Sequence, residues 1–109
     1  MNDGIKYTLG GLFFTWDDEK AAQNWKKHRI DFRLAAEVFL DEYAVDVFDF
    51  AHSDTEPRRK VIGSTVGRQN TLFVVYVERE DCEKVELYRL ISARNATGKE
   101  RKIYEQGLF

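Results

Sequence analysis

The sequence predicts one α+β domain, and three observations carry that expectation. Of 109 residues, 43% are hydrophobic and 14% aromatic, enough to fill one core but not two. The first half holds a short β-type run followed by two stretches with helix-start signals. The second half holds three apolar runs separated by short polar joins, then a capping box. This order predicts an N-terminal strand and two helices, an antiparallel meander sheet of about four strands and a C-terminal helix, with the helices packed on one face.

Residues 1–11 contain three glycines and little periodicity, so they read as a flexible N-terminal extension or an edge addition to a domain spanning 12–109. Leu12–Trp16 is a short strand. Asp17 then caps a helix with Asp18 and Glu19 in its first turn and Lys26, Lys27 and His28 in its last, matching the helix dipole at both ends. Ala21, Ala22 and Trp25 fall at helical spacing and mark its expected buried face. After the link Arg29-Ile30, Asp31 caps a second helix with apolar residues Phe32, Ala35, Ala36, Val38 and Phe39, so the two helices form a hairpin or a bent pair. Ala44–Phe50 is a strand of open facing, and His52–Pro57, with the chain's single proline, is a turn. Arg58–Thr65, Thr71–Glu78 and Val85–Asn95 follow as hairpin-linked strands, the second being the most apolar and therefore central. Thr97 and Glu100 form the Thr-x-x-Glu box that starts a helix running to Gln106.

The formal charge of −2 averages two unlike halves: residues 1–57 carry −6 and residues 58–109 carry +4. Cys82 is the only cysteine and lies among carboxylates that disfavour a thiolate; a reducing cytoplasm fits this usage. No apolar run reaches the length of a membrane span, so no membrane role is expected.

His28 and His52 lack ligand partners at metal-binding spacing, the glycines form no phosphate loop, and no serine sits in a nucleophile elbow. What remains is a basic and aromatic set: His28, Arg58, Arg59, Lys60, Arg89, Arg94, Lys99, Arg101 and Tyr104, with Lys27 beside His28. Lys99, Arg101 and Lys102 crowd a helix start that disfavours cations. Either an outside anion such as phosphate offsets them or their long side chains extend into water. If the arginines converge, they suit phosphodiester chemistry, binding phosphate oxygens bidentately and stabilising developing charge. A neutral His28 could take a proton, Tyr104 could donate one or stack on a base, and an RNA 2′-hydroxyl could serve as nucleophile without metal or other cofactor. Arg89 and Arg94 are five positions apart and face opposite sides of a regular strand; a bulge, or a strand ending before Arg94, is required. Plainer roles stand beside these: His28 as a dipole partner, Tyr104 as core, and Arg58-Arg59-Lys60 guarding an edge strand.

The run Phe14-Thr15-Trp16-Asp17-Asp18-Glu19-Lys20-Ala21 with Asn24, Lys27-His28, Phe32, Ala35-Ala36 and Val38-Phe39 resembles the opening of the BrnT family. His52-Ser53, Glu56, Arg58 and Ile62-Gly63 resemble its middle, and Arg89–Thr97 with Glu100-Arg101 and Tyr104 its end. The resemblance implies a RelE-like fold and the toxin of a bacterial type II toxin-antitoxin pair, a metal-independent ribonuclease that blocks translation. It also implies a ribbon-helix-helix antitoxin as partner, RNA as substrate, free or on the ribosome, and operator DNA reached only through the antitoxin. By the same resemblance Arg58, Arg89 and Arg94, then His28 and Tyr104, are the catalytic candidates. Lys27, Arg59, Lys60, Lys99 and Arg101 are the RNA-binding ones. Arg59 stands where the family more often has an aromatic or apolar residue. The other function class is a catalytically inactive module that binds an antitoxin or nucleic acid; the acidic first half would suit a basic antitoxin segment.

Overall fold

The computed structural model describes residues 4–52 and 56–107. Its elements are β1 (Tyr7–Leu9), β2 (Leu12–Trp16), α1 (Asp18–His28), α2 (Phe32–Ala36) running into a 3-10 turn at Glu37–Leu40, β3 (Val45–Phe48), a 3-10 turn at Phe50–His52, β4 (Arg58–Ser64), a 3-10 turn at Val66–Arg68, β5 (Thr71–Glu80), β6 (Glu86–Asn95) and α3 (Gly98–Gln106). Part of the expected turn at His52–Pro57, residues 53–55, lies outside the described residues, as do residues 1–3 of the extension.

Among the described residues six strands form one sheet in the order β1-β2-β6-β5-β4-β3. This corrects the expected four-strand antiparallel meander. The meander from β3 to β6 is present, but β2 inserts beside β6 in parallel, pairing Phe14 with Tyr88 and Trp16 with Leu90. Residues 7–9 of the segment read as a flexible or edge extension form β1, which folds back on β2 through Gly10-Gly11, both at positive φ as a tight hairpin turn requires. β4 lies between β3 and β5, so Arg58-Arg59-Lys60 guards no open edge.

The core lies on one sheet face, where Phe14, Val61, Val74, Tyr76, Leu90 and Ala93 pack against Phe32, Ala35, Ala36 and Val38. Gly63 lets β4 approach the 3-10 turn after α2; a Cβ there would meet Val38 Cβ at 3.0 Å and the Val38 carbonyl oxygen at 3.2 Å. Expectation and structure part at α1. Its buried residue is Asn24, while Trp25 is 48% exposed and Ala22 is exposed. The Asn24 amide donates to the Ala93 carbonyl (2.9 Å) and the Ile30 carbonyl (3.1 Å) and accepts from the Ala93 N–H (3.0 Å). β2 stops opposite Leu90, and farther along β6 the Asn24 side chain supplies the bonds a neighbouring strand would have made to Ala93. An unpaired backbone group buried there would cost its full desolvation penalty.

α3 corrects the one-face arrangement. Its groove partners Val47, Lys60, Ile62 and Phe73 belong to the face opposite the core, so α1 and α2 serve one side of the sheet and α3 the other. The capping box at Thr97 forms as expected, and Gly107 closes the helix in the left-handed conformation.

Asn24→Ala strands the Ala93 N–H and C=O and is expected to destabilise the fold by about 2–4 kcal/mol. Asn24→Asp costs more, because a carboxylate would face two carbonyl oxygens. Urea unfolding midpoints of the two variants check both the size and the order.

Candidate functional site

Strand register places the basic residues. Arg58, Val77 and Arg89 lie opposite one another across β4, β5 and β6; so do Lys60, Val75 and Ser92, and then Ile62, Phe73 and Arg94. On β4 these residues alternate and share a face. On β6 the register shifts between the partners of Val75 and Tyr76, which pair with Ser92 and Leu90, so that Ile91 is an extra residue. This bulge restores Arg89 and Arg94 to one side, as their five-residue separation required. Arg58, Lys60, Arg89 and Arg94 therefore share the face that carries α3. Cationic rows on β4 and β6, about 10 Å apart by strand spacing, flank the apolar row Val77, Val75 and Phe73 on β5.

The charges on this face differ in how they are paired. Arg94 presents its fork to Glu100 at 2.8 and 2.9 Å, donates to the Asn95 carbonyl at 3.2 Å and lies 4.2 Å from the Phe73 ring centroid. Glu100 also accepts from the Thr97 N–H at 2.9 Å. The Arg94 guanidinium holds the Glu100 carboxyl below the usual carboxylate range, and Glu100 raises Arg94 in return, so the pair is ionised. Arg58 Nε lies 4.0 Å from Glu56, which also reaches Arg79 at 3.4 Å, and Lys60 lies 3.9 Å from the buried Asp49. Among the described residues no carboxylate comes within 4.0 Å of Arg89. Its charge acts at longer range on Asp17, whose carboxyl is held down chiefly by the Lys20 and Glu19 backbone N–H groups.

His28, at the end of α1, is half-buried. Burial first, then the charges of Lys27 and Arg94, push its pKa below 6.5, so the imidazole is neutral at physiological pH. Lys27, Lys99 and Arg101 are exposed. Lys99 lines, with Lys60, Glu100 and Ile103, a groove of about 270 Å3 under α3. Two candidates fall elsewhere. Arg59 faces the core side, opposite Tyr76, and pairs with Asp46 at 3.3 Å; Asp46 also accepts from the Tyr76 hydroxyl. Tyr104 lies at the far end of β4, where its hydroxyl donates to Asp41 (2.6 Å) and accepts from Ser64 (3.1 Å) and Arg68 (3.3 Å). Ser64 is six positions from Arg58, about 20 Å along an extended strand, so Tyr104 lies far from Arg58 and, of the three arginines, is nearest Arg94, whose row on β4 is that of Ile62.

Sequence reasoning gives Glu100 as a capping residue and as part of the family-like ending, and misses its role as the carboxylate facing Arg94. The clue was available: this acid follows the arginine by six positions across a strand-to-helix corner. Ser92, placed between Arg89 and Arg94 on the same face, gave no signal, because its facing depends on the bulge. Among the described residues no three His, Cys, Asp or Glu side chains gather as metal ligands would, and no helix is long and apolar enough to cross a membrane.

A family model described as the ribonuclease toxin BrnT of type II toxin-antitoxin systems matches residues 16–100. The matched span takes in His28, Arg58, Arg89, Arg94 and Glu100 and ends before Arg101 and Tyr104. Comparison with curated proteins finds no match. Because the family model covers most of the chain, including the whole cationic sheet face, the chain belongs to the BrnT family of ribonuclease toxins of type II toxin-antitoxin systems.

Proposed function

We propose that this chain is a metal-independent endoribonuclease that arrests translation, and that its fold is that of the RelE ribonucleases. Family membership implies a cognate antitoxin; we assign that antitoxin a ribbon-helix-helix DNA-binding part, which carries the pair to operator DNA. The observation that supports the nuclease reading most is the Ile91 bulge, which turns Arg89 and Arg94 to the same face as Arg58 and Lys60.

In this reading RNA lies along β5 with phosphates between the two cationic rows. The 2′-hydroxyl attacks the adjacent phosphorus and passes its proton to neutral His28, which belongs to α1 on the other side of the sheet but feels the charge of Arg94 and is reached around the β6 edge. The 5′-oxygen leaves as the P–O bond breaks, taking a proton from water, and a 2′,3′-cyclic phosphate forms. Arg58 and Arg89 stabilise the charge on the pentacoordinate phosphorus. Arg94 reaches phosphate only by exchanging Glu100 for it, since either ligand offers two oxygens to the same fork. Lys27, Lys60, Lys99 and Arg101 add attraction for the backbone. Tyr104 anchors α3 and does not touch substrate.

One observation favours a non-catalytic binding module instead: the Arg94 fork is already filled by Glu100, and Arg58 lies beside Glu56. Incubating the purified chain with total RNA and ribosomes separates the two readings. Arg58→Ala and Arg89→Ala are expected to slow cleavage about 100-fold or more and to restore colony growth on induction. Intact RNA and normal colonies with the unaltered chain would instead establish the binding module. The cleavage rate should be level near neutrality and fall on acidification through a His28 pKa below 6.5, and His28→Ala should remove that limb. Tyr104→Phe should lower thermal stability by about 1–2 kcal/mol while cleavage stays within a few-fold.

A further inference from the structure

Among the described residues three of the large exposed apolar side chains gather at one end, apart from Phe50, which stacks on Phe48. Leu40 is 42% exposed, Tyr43 60% and Val66 64%, and all three line one groove of about 280 Å3 between the 3-10 turns at Glu37–Leu40 and Val66–Arg68. Clustered exposed apolar side chains of this kind mark contact surfaces, whereas single ones need no explanation. The groove is held in shape. The β1–β2 turn abuts Leu40, where a Cβ on Gly10 would fall 2.6 Å from Leu40 Cδ2. Glu37 accepts the Val66 N–H at 2.9 Å, fixing the two turns to each other. Arg68 lies 5.3 Å from the Tyr43 ring centroid and donates to Tyr104, so the ring is supported from α3.

The rim carries the information about the occupant. Glu37, Asp41 and Glu42 border the groove, and Glu105 borders the adjoining one that shares Tyr43 and Arg68. Among the residues lining the two grooves four are carboxylates and one, Arg68, is a cation, so this surface is opposite in sign to the Arg58 and Arg89 end. RNA is repelled here; a basic protein segment is attracted.

We infer that this end of the molecule is the docking site of the cognate antitoxin, through a segment that places two or three apolar side chains on Leu40, Tyr43 and Val66 and lysines or arginines against the rim. An amphipathic helix with a basic polar face has that pattern. The inference rests on the toxin-antitoxin membership and names where its partner binds; it does not require the chain to cut RNA.

The test is calorimetric titration of purified chain with purified cognate antitoxin, at low and high salt. Tyr43→Ala combined with Val66→Asp should weaken binding about 30-fold or more, as loss of a buried aromatic anchor does. Glu42→Lys with Glu105→Lys should weaken it less and flatten its salt dependence. Trp25→Ala, an exposed aromatic on α1, and Arg58→Ala, on the cationic face, should bind as the unaltered chain. Far-UV melting shows that each variant is folded, and Val66→Ala provides a milder probe of the same contact. Unchanged affinity for Tyr43→Ala with Val66→Asp overturns the inference. So does loss of binding in Trp25→Ala or Arg58→Ala alone, or failure of the unaltered chain to bind at all. A chain that binds through this groove yet leaves RNA intact sinks the nuclease reading and leaves the docking site standing.

Discussion

The cationic face depends on β6 being hydrogen-bonded along both edges while its side chains change phase once. β5 pairs with it on one side; β2 and then the Asn24 amide satisfy it on the other. A strand so enclosed cannot slip by one residue without exposing its core row to water. The single extra residue at Ile91 is therefore held in place, and with it the facing of Arg89, Ser92 and Arg94. Leu87, Leu90 and Ala93 are buried on either side of the bulge, so the local loss of regular pairing is offset by packing on both faces.

The same face shows what burying arginine next to a sheet demands. Arg94 is two-thirds covered, and a guanidinium in that position needs its donors satisfied, which Glu100, the Asn95 carbonyl and the Phe73 ring accomplish together. Arg89 has no such carboxylate among the described residues, so it retains more capacity for an outside anion. The three arginines are thus unequal, although the sequence presents them as alike. A ligand bearing two oxygens competes with Glu100 for Arg94 but meets less competition at Arg89.

Local chemistry made much of this legible. Asp17, Asp31 and Thr97 start their helices because side-chain oxygens beside orphan N–H groups act within three residues, and each does so here. The apolar run around Val74 and Val75 announced a central strand, and β5 is one. What was not legible was long-range. The parallel contact of β2 with β6 joins Thr15 to Arg89, and no local pattern encodes it. Trp25 looked like the buried residue of α1 because it is the largest apolar side chain there. Asn24 won that place because β6 had backbone groups to satisfy, and a polar side chain was the only kind that could do it. That Arg89 and Arg94 share a face could be posed as a condition from the sequence, a bulge or a strand ending before Arg94, but only the register of β5 against β6 decides it. Residue type and family resemblance group Arg59 and Tyr104 with the site; alternation on β4 turns Arg59 to the core side, and Asp41 and Ser64 hold the Tyr104 hydroxyl at the far end of β4.

α3 connects the two charged ends of the molecule. None of its residues is fully buried, so unlike α2 it is not fixed by core packing. It is held instead by polar contacts at its two ends, Glu100 to Arg94 and Tyr104 to Asp41, Ser64 and Arg68, with Ile103 between. Each of these contacts uses a residue that also belongs to a surface: Arg94 to the cationic face, and Asp41 and Arg68 to the acidic groove. An anion that takes Arg94 from Glu100 therefore weakens the attachment of the helix start, and a partner that draws Arg68 away from Tyr104 weakens its end. By linkage, whatever loosens α3 at one end alters the free energy of binding at the other, and the sign depends on which attachment each ligand disturbs.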